Sequence, residues 1–220
     1  MQGRTNRKKE QGFTALEMIV VIAVVVLLAV LLLPSMARPK IREPRITCVS
    51  NLKQVGLAAR MWANDNGDKF PWQVSISTNG TLELVYGPSV SPHFLIMSNE
   101  MNSPRILACR ADAKRAKVAR WSEFDDNHLS YFVGLNADET RPQSILSGDR
   151  NLTGGVRVTN TVFLFTSNSL VGFTKDLHDT SGNLSLGDGS VQQLAPRAFR
   201  NQINAALLSS DQPALRLAIP

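Results

Sequence analysis

An α+β fold is predicted, with a long N-terminal helix whose first half is apolar enough to span a membrane and whose second half packs on a small antiparallel β-sheet. Three observations carry this expectation. Residues 13–33 form a 21-residue, almost wholly apolar run behind a basic leader. Residues 46–62 repeat apolar side chains at helical spacing. Beyond residue 128, short runs rich in β-branched and aromatic residues alternate with turn formers.

At about 1.5 Å of rise per helical residue, the first run covers roughly 30 Å, the hydrocarbon thickness of a bilayer. Residues 18–33 are all apolar, and Pro34 is the first helix-bending residue after them. Glu17 stands at the head of the run. A charge near hydrocarbon costs at least about 2.5 kcal/mol on insertion scales, and less at a helix end. Two readings stay open: a carboxylate snorkelling to the membrane surface, or one paired with a cation on a neighbouring chain. Cleavage after Gly12 would create that cation as the α-amine of Phe13, four residues ahead of Glu17.

The leader sets Arg4, Arg7, Lys8 and Lys9 against Glu10, a topology signal that keeps it cytoplasmic and sends the C-terminal bulk across. Removing this +3 from the net charge of +6 leaves +3, which does not demand nucleic acid. A secretory signal peptide shares the basic-then-apolar order. Its apolar region is only about 7 to 15 residues, however, and it is cut behind that region.

Gly12, Phe13, Thr14, Leu16 and Glu17, ahead of an apolar helix, resemble the prepilin cleavage and methylation signature of type IV pilins and type II secretion pseudopilins. The family's acid, fifth after the cut, falls on Glu17, and its helix-kinking proline, twenty-second, falls on Pro34. The resemblance implies a pilin-like fold, cutting after Gly12 by prepilin peptidase, N-methylation of Phe13, and assembly through Glu17 and Pro34. The implied partners are other pilin or pseudopilin subunits, an inner-membrane assembly platform and the lipid bilayer. The implied location is the bacterial inner membrane, single-pass, with the N-terminus cytoplasmic and the C-terminal domain extracytoplasmic. The expected division is a leader at 1–12, a transmembrane and assembly helix at 13–37, and an extracytoplasmic domain at 38–220. No cofactor, metal, catalytic residue or nucleic-acid partner is expected.

Cys48 and Cys109 are the two cysteines. Outside the cytoplasm they would either form a disulfide or stay as buried thiols. A bond would close a loop of about 60 residues, worth roughly 4 kcal/mol in the chain-entropy model. Two cysteines alone do not complete a four-ligand zinc site.

Along the chain, Pro34 is expected to kink a continuing helix, with Pro39 and Pro44 as candidate breaks. Ile46, Val49, Leu52, Val55, Ala59 and Trp62 form the next helix's apolar stripe, ending near Ala63 at the turn formers NDNGD. That tract lacks the spaced ligands and final Glu of a calcium loop. Residues 51–71 also resemble the segment after the anchor in a large bacterial group of pseudopilin-like proteins. The basic tract 109–121 reads as a solvated face. Residues 129–135 and 161–166 read as strands, 147–155 as a loop and 184–191 as a hairpin. Phe199, Ile203 and Leu207 mark a C-terminal helix, after which the tail is expected to run over the surface.

His178, followed after nine residues by Asp188-Gly189, resembles a C-terminal element of many proteins bearing the prepilin signature. A catalytic Ser-His-Asp reading lacks a placed nucleophile. A metal reading would use His178, Asp179 and Asp188. The third reading has His178 bracing the hairpin while Asp188 and Gly189 satisfy its turn. The expected function is therefore a structural subunit of a pseudopilus or pilus-like fibre. Its rivals are a membrane-anchored binding protein or adhesin that does not polymerise, and a hydrolase built around His178.

Overall fold

The computed structural model describes the backbone of residues 14–36 and 42–220, with side chains over 14–30 and 45–220. The processing residues Gly12 and Phe13 lie outside the described residues. The chain divides into two compact units, one ending at Lys40 and the other running from Ile41 to Pro220.

In the first unit, helix α1 spans Ala15–Met36, its backbone running through Pro34. Thr14 and Glu17 close its N-terminus reciprocally. Thr14 donates to Glu17 Oε2 from its backbone N at 2.8 Å and from Oγ1 at 2.9 Å, while Glu17 N donates to Thr14 Oγ1 at 3.3 Å. This is a capping box, which satisfies amides that the first helical turn leaves free. The large apolar side chains from residue 18 to 30 are 49–64% exposed, so no side of this stretch is covered.

The transmembrane expectation is corrected here. Among the described residues no helix is long and apolar enough to cross a membrane. Glu17, counted within the apolar run, in fact caps the helix, so that run starts only at Met18. The single-pass inner-membrane placement, cytoplasmic at one end and extracytoplasmic at the other, falls with it.

The long-helix pilin fold is corrected too. Within the second unit are helices α2 (Arg42–Asp65), α3 (Pro92–Leu95) and α4 (Pro196–Ser210). Its strands are β1 (Tyr131–Gly134), β2 (Ile145–Asp149), β3 (Leu152–Thr153), β4 (Val156–Arg157), β5 (Val162–Phe165), β6 (Gly172–Phe173), β7 (Gly182–Leu186), β8 (Val191–Leu194) and β9 (Leu215–Ala218). Seven form one antiparallel sheet in the order β4-β5-β9-β1-β2-β7-β8, and β3 pairs with β6 apart from it. The sheet is larger than expected, and helices cover both its faces.

One face carries Tyr131, Val133, Leu146, Val162 and Ala218 beneath Cys48, Leu52, Val55, Ala59 and Trp62 of α2. The other carries Phe132, Ile145, Phe165, Leu184, Leu186, Leu215 and Leu217 against Phe199, Ile203 and Ala206 of α4. Successive strand residues point to opposite faces, so β1, β2 and β7 are buried at every position. Each fully buried Leu, Val or Phe contributes about 1.5–3 kcal/mol.

Helix α2 starts ahead of Pro44, since proline is tolerated in a first turn, where the amide has no helical partner. Its buried stripe begins at Cys48, while Ile46 faces outward. The NDNGD tract ends it: Asn66 N and Asp68 N both donate to Ala63 O at 2.9 Å, with Gly67 and Asp68 at positive φ. Residues 71–107 wind through short helical turns that bury Trp72, Phe94, Met97 and Leu107 beside α2.

The tail expectation is also corrected. Residues 215–218 form an interior strand of the sheet, β9, pairing with β1 on one side and β5 on the other. Residues 145–149, partly read as loop, form β2. Ser147 Oγ donates to Phe132 O at 2.7 Å, and Gly148 leaves room for Leu184 and Phe132, each within 2.7 Å of where a Cβ would stand.

Candidate functional site

Four segments converge on the α2 face of the sheet. The first turns of α2 bring Cys48, the stretch after the turn at residues 104–107 brings Cys109, and these two form a disulfide with Cα atoms 5.5 Å apart. The end of β2 brings Asp149. The residues leading into β7 bring His178, held by a bridge to Ser181.

His178 Nε2 lies 3.4 Å from Cys109 Sγ and 3.6 Å from Asp149 Oδ2. Asp149 is wholly buried. Its Oδ2 accepts from both the backbone N and Nδ2 of Asn183, each at 2.8 Å, while Oδ1 has no hydrogen-bond partner. Burial pushes the Asp149 carboxyl up to about 7; the Asn183 bonds work against this and the neighbouring Asp112 charge adds to it. Burial pulls the His178 imidazole down to about 4, and the Arg45 charge adds to that effect. Between those values the pair is an uncharged imidazole beside an uncharged carboxylic acid.

Arg45 anchors this corner. Its Nη2 donates to His178 O at 2.8 Å and to Asp179 Oδ2 at 3.0 Å. A cleft of about 90 Å³, lined by Arg45, His178, Ser181, Asn183 and Gln193, opens beside the imidazole. Next door, Arg150 grips Asp112 through Nε and Nη2, both at 2.7 Å, and Ser130 Oγ adds a bond at 2.9 Å. Burial alone would push Asp112 up, but Arg150 and Ser130 more than offset it and hold that carboxyl below its ordinary range.

Of the motif residues, His178 enters this cluster and Asp188 does not. Asp188 and Gly189 sit beyond the far end of β7, in the turn to β8. There Asp188 Oδ1 accepts from Ser190 N at 2.8 Å, Asp188 O accepts from Arg60 Nη1 at 3.0 Å, and Gly189 adopts φ +81°. The suggested metal set of His178, Asp179 and Asp188 is not assembled, since Asp179 turns to Arg45. His178 Nε2 faces sulfur and a carboxylate, not a hydroxyl. Chemically, the cluster can hold or pass a proton between Asp149 and His178, beside a disulfide sulfur that carries none.

In the basic tract, Lys114 pairs with Asp176 at 3.0 Å, Arg115 Nε donates to Leu129 O at 3.1 Å, and Arg120 pairs with Glu123. Asp149 and Asn183 were missed as site residues. Ile145-Leu146 is the strand signal for β2, but Gly148-Asp149 reads as turn chemistry unless both faces are known to be covered. The Thr14–Glu17 box was legible, because Thr-x-x-Glu before an apolar run is its signature.

Comparison with known proteins returns no match: no family model, no curated protein and no solved structure is similar to the chain.

Proposed function

We propose that this chain is a structural subunit of a helical fibre of the type II secretion pseudopilus or type IV pilus-like kind, cut by prepilin peptidase after Gly12 and N-methylated on Phe13. What supports the reading is a cleavage-like sequence joined directly to α1, a helix whose apolar side chains are half or more exposed on all sides. An apolar surface of this kind draws a partner, because burial returns about 25 cal/mol per Å². Packing α1 helices of successive subunits together removes that surface from water. In such a fibre Glu17 registers each incoming subunit against the Phe13 amine of its neighbour.

Glu17 also caps its own helix, so the two roles need separating. Glu17→Gln keeps a capping-box side chain and loses the charge, whereas Glu17→Ala loses both. Under the proposal both variants are processed normally and both assemble poorly. Normal fibres from Glu17→Gln would remove the charge from the assembly role. Mass spectrometry of the mature N-terminus reads the cut and the methyl group together, and a chain that retains Met1 would refute the reading.

A further inference from the structure

We propose that reduction of the Cys48–Cys109 disulfide creates a four-ligand site for Zn²⁺, built from both cysteine sulfurs, His178 Nε2 and the Asp149 carboxylate. The site is independent of the fibre reading and uses none of its residues.

The ligand atoms of Cys48, Cys109 and His178 all lie within 4.8 Å of one another, and all three residues are buried. Tetrahedral zinc holds sulfur at about 2.3 Å, imidazole nitrogen at about 2.0–2.1 Å and carboxylate oxygen at about 2.0–2.2 Å. Those bond lengths place sulfur and nitrogen about 3.5 Å apart, and nitrogen and oxygen about 3.4 Å apart. The protein holds His178 Nε2 3.4 Å from Cys109 Sγ and 3.6 Å from Asp149 Oδ2, the oxygen that also accepts from Asn183. The two sulfurs are too close, because a covalent bond joins them, and the Asp149 carboxylate, outside the set that lies within 4.8 Å, must turn toward them to complete the site. Zinc needs them about 3.8 Å apart, a separation open to two thiolates and closed to a disulfide.

Asp149 supplies an independent observation. A wholly buried carboxylate oxygen without a hydrogen-bond partner is rare and asks for a reason. Asn183 fixes Oδ2 with two donors and leaves Oδ1 available, as an outer residue orients a carboxylate ligand. The two sulfurs and the imidazole come from α2, the stretch after residue 107 and the segment before β7, so the surrounding fold presets their positions. The cleft beside His178 gives an ion a way in. Two sulfurs and a nitrogen select zinc over calcium or magnesium, which take oxygen ligands.

The redox step balances with a dithiol reductant. Two electrons pass from the dithiol, which closes into its own disulfide, to the Cys48–Cys109 bond, and each freed sulfur takes up a proton. Zn²⁺ then displaces those protons and the one on Asp149, with no change in its own oxidation state. Metal and disulfide exclude each other, which makes the site a redox-controlled one.

The test uses the full chain, reduced without oxygen by a phosphine that does not bind metal, and titrated with Zn²⁺ and with Co²⁺ as a coloured stand-in. The expected result is one ion per chain, protection of both thiols from alkylation, and sulfur-to-cobalt charge transfer with tetrahedral d–d bands. The oxidised chain takes up none. His178→Gln and Asp149→Asn, each checked for folding by circular dichroism, should each weaken binding roughly tenfold or more, the scale of losing support at a metal. A folded, reduced chain that takes no metal overturns the proposal, as does equal affinity in both variants, which would mean that the thiols act alone. If reduction unfolds the chain, Zn²⁺ must restore the fold, and failure to do so counts equally against the site.

Discussion

Leu217→Ala tests whether the C-terminal tail is the keystone of the sheet. Leu217 is fully buried in β9, pairs with Gly134 of β1 and Phe163 of β5, and packs in the cluster that includes Phe199 of α4. Truncating a buried leucine costs about 2–5 kcal/mol, rising with the cavity that cannot collapse. Strands on both sides and a helix above hold this site open, so about 3–4 kcal/mol is the reasonable value. For a domain of this size, that lowers the melting temperature by about 6–16 °C, at about 2–4 °C per kcal/mol. Thermal and urea melts followed by circular dichroism measure the change. Leu208→Ala is the control, since Leu208 is 87% exposed and should shift stability by no more than about 0.5 kcal/mol. A Leu217→Ala shift no larger than the control's would refute the interior placement of β9 and restore a surface tail.

Replacing Cys48 and Cys109 together by Ser, compared under oxidising conditions, should cost roughly 4 kcal/mol by urea melts, from a loop with a sequence separation of 61. Asp112→Ala strands a largely buried Arg150 and should cost about 3–5 kcal/mol, whereas Arg120→Ala, at an exposed pair, should cost no more than about 1 kcal/mol. Asp149→Asn changes the pH profile. The folded carboxyl titrates near 7 against a free value of 3.8, so its contribution is fully present below about pH 4 and is lost as pH rises through 7. His178, at about 4 against 6.5, acts oppositely: its contribution is present above 6.5 and is lost as pH falls toward 4. The stability of Asp149→Asn relative to the natural chain should therefore climb steadily from pH 4 to pH 7, and a flat difference in urea melts would contradict the buried-acid assignment.

Local pattern carried several elements. The spacing of Leu52, Val55, Ala59 and Trp62 marks α2, and that of Phe199 and Ile203 marks α4, because one buried stripe per helix leaves a period in the chain. Strands β1 and β5 showed themselves through β-branched and aromatic side chains, and β7 and β8 through the alternating Leu184 and Leu186 ahead of the Gly187-Asp188-Gly189 turn. Strands β2 and β9 did not. In β2, Ser147, Gly148 and Asp149 are turn formers whose hydrogen bonds are answered by Phe132 and Asn183, residues distant in sequence. In β9, the four-residue run beside Pro213 becomes a strand only because edges of β1 and β5 lie open to receive it. The apolar length of α1 was overread because Glu17 was counted within the run, when it serves as the helix's own cap.

The sequence by itself determined helices α2 and α4, the cleavage-like signature, the pair of cysteines and the motif histidine, since each rests on neighbours a few residues apart. Only the tertiary structure decided that the sheet is clad on both faces, that the tail forms one of its interior strands, and that His178 meets Asp149 and the disulfide instead of Asp188. Those relations join residues up to 134 positions apart, as Arg45 is from Asp179. Chain closure over such distances is imposed by the packing of the whole domain and leaves no periodic trace in any one segment.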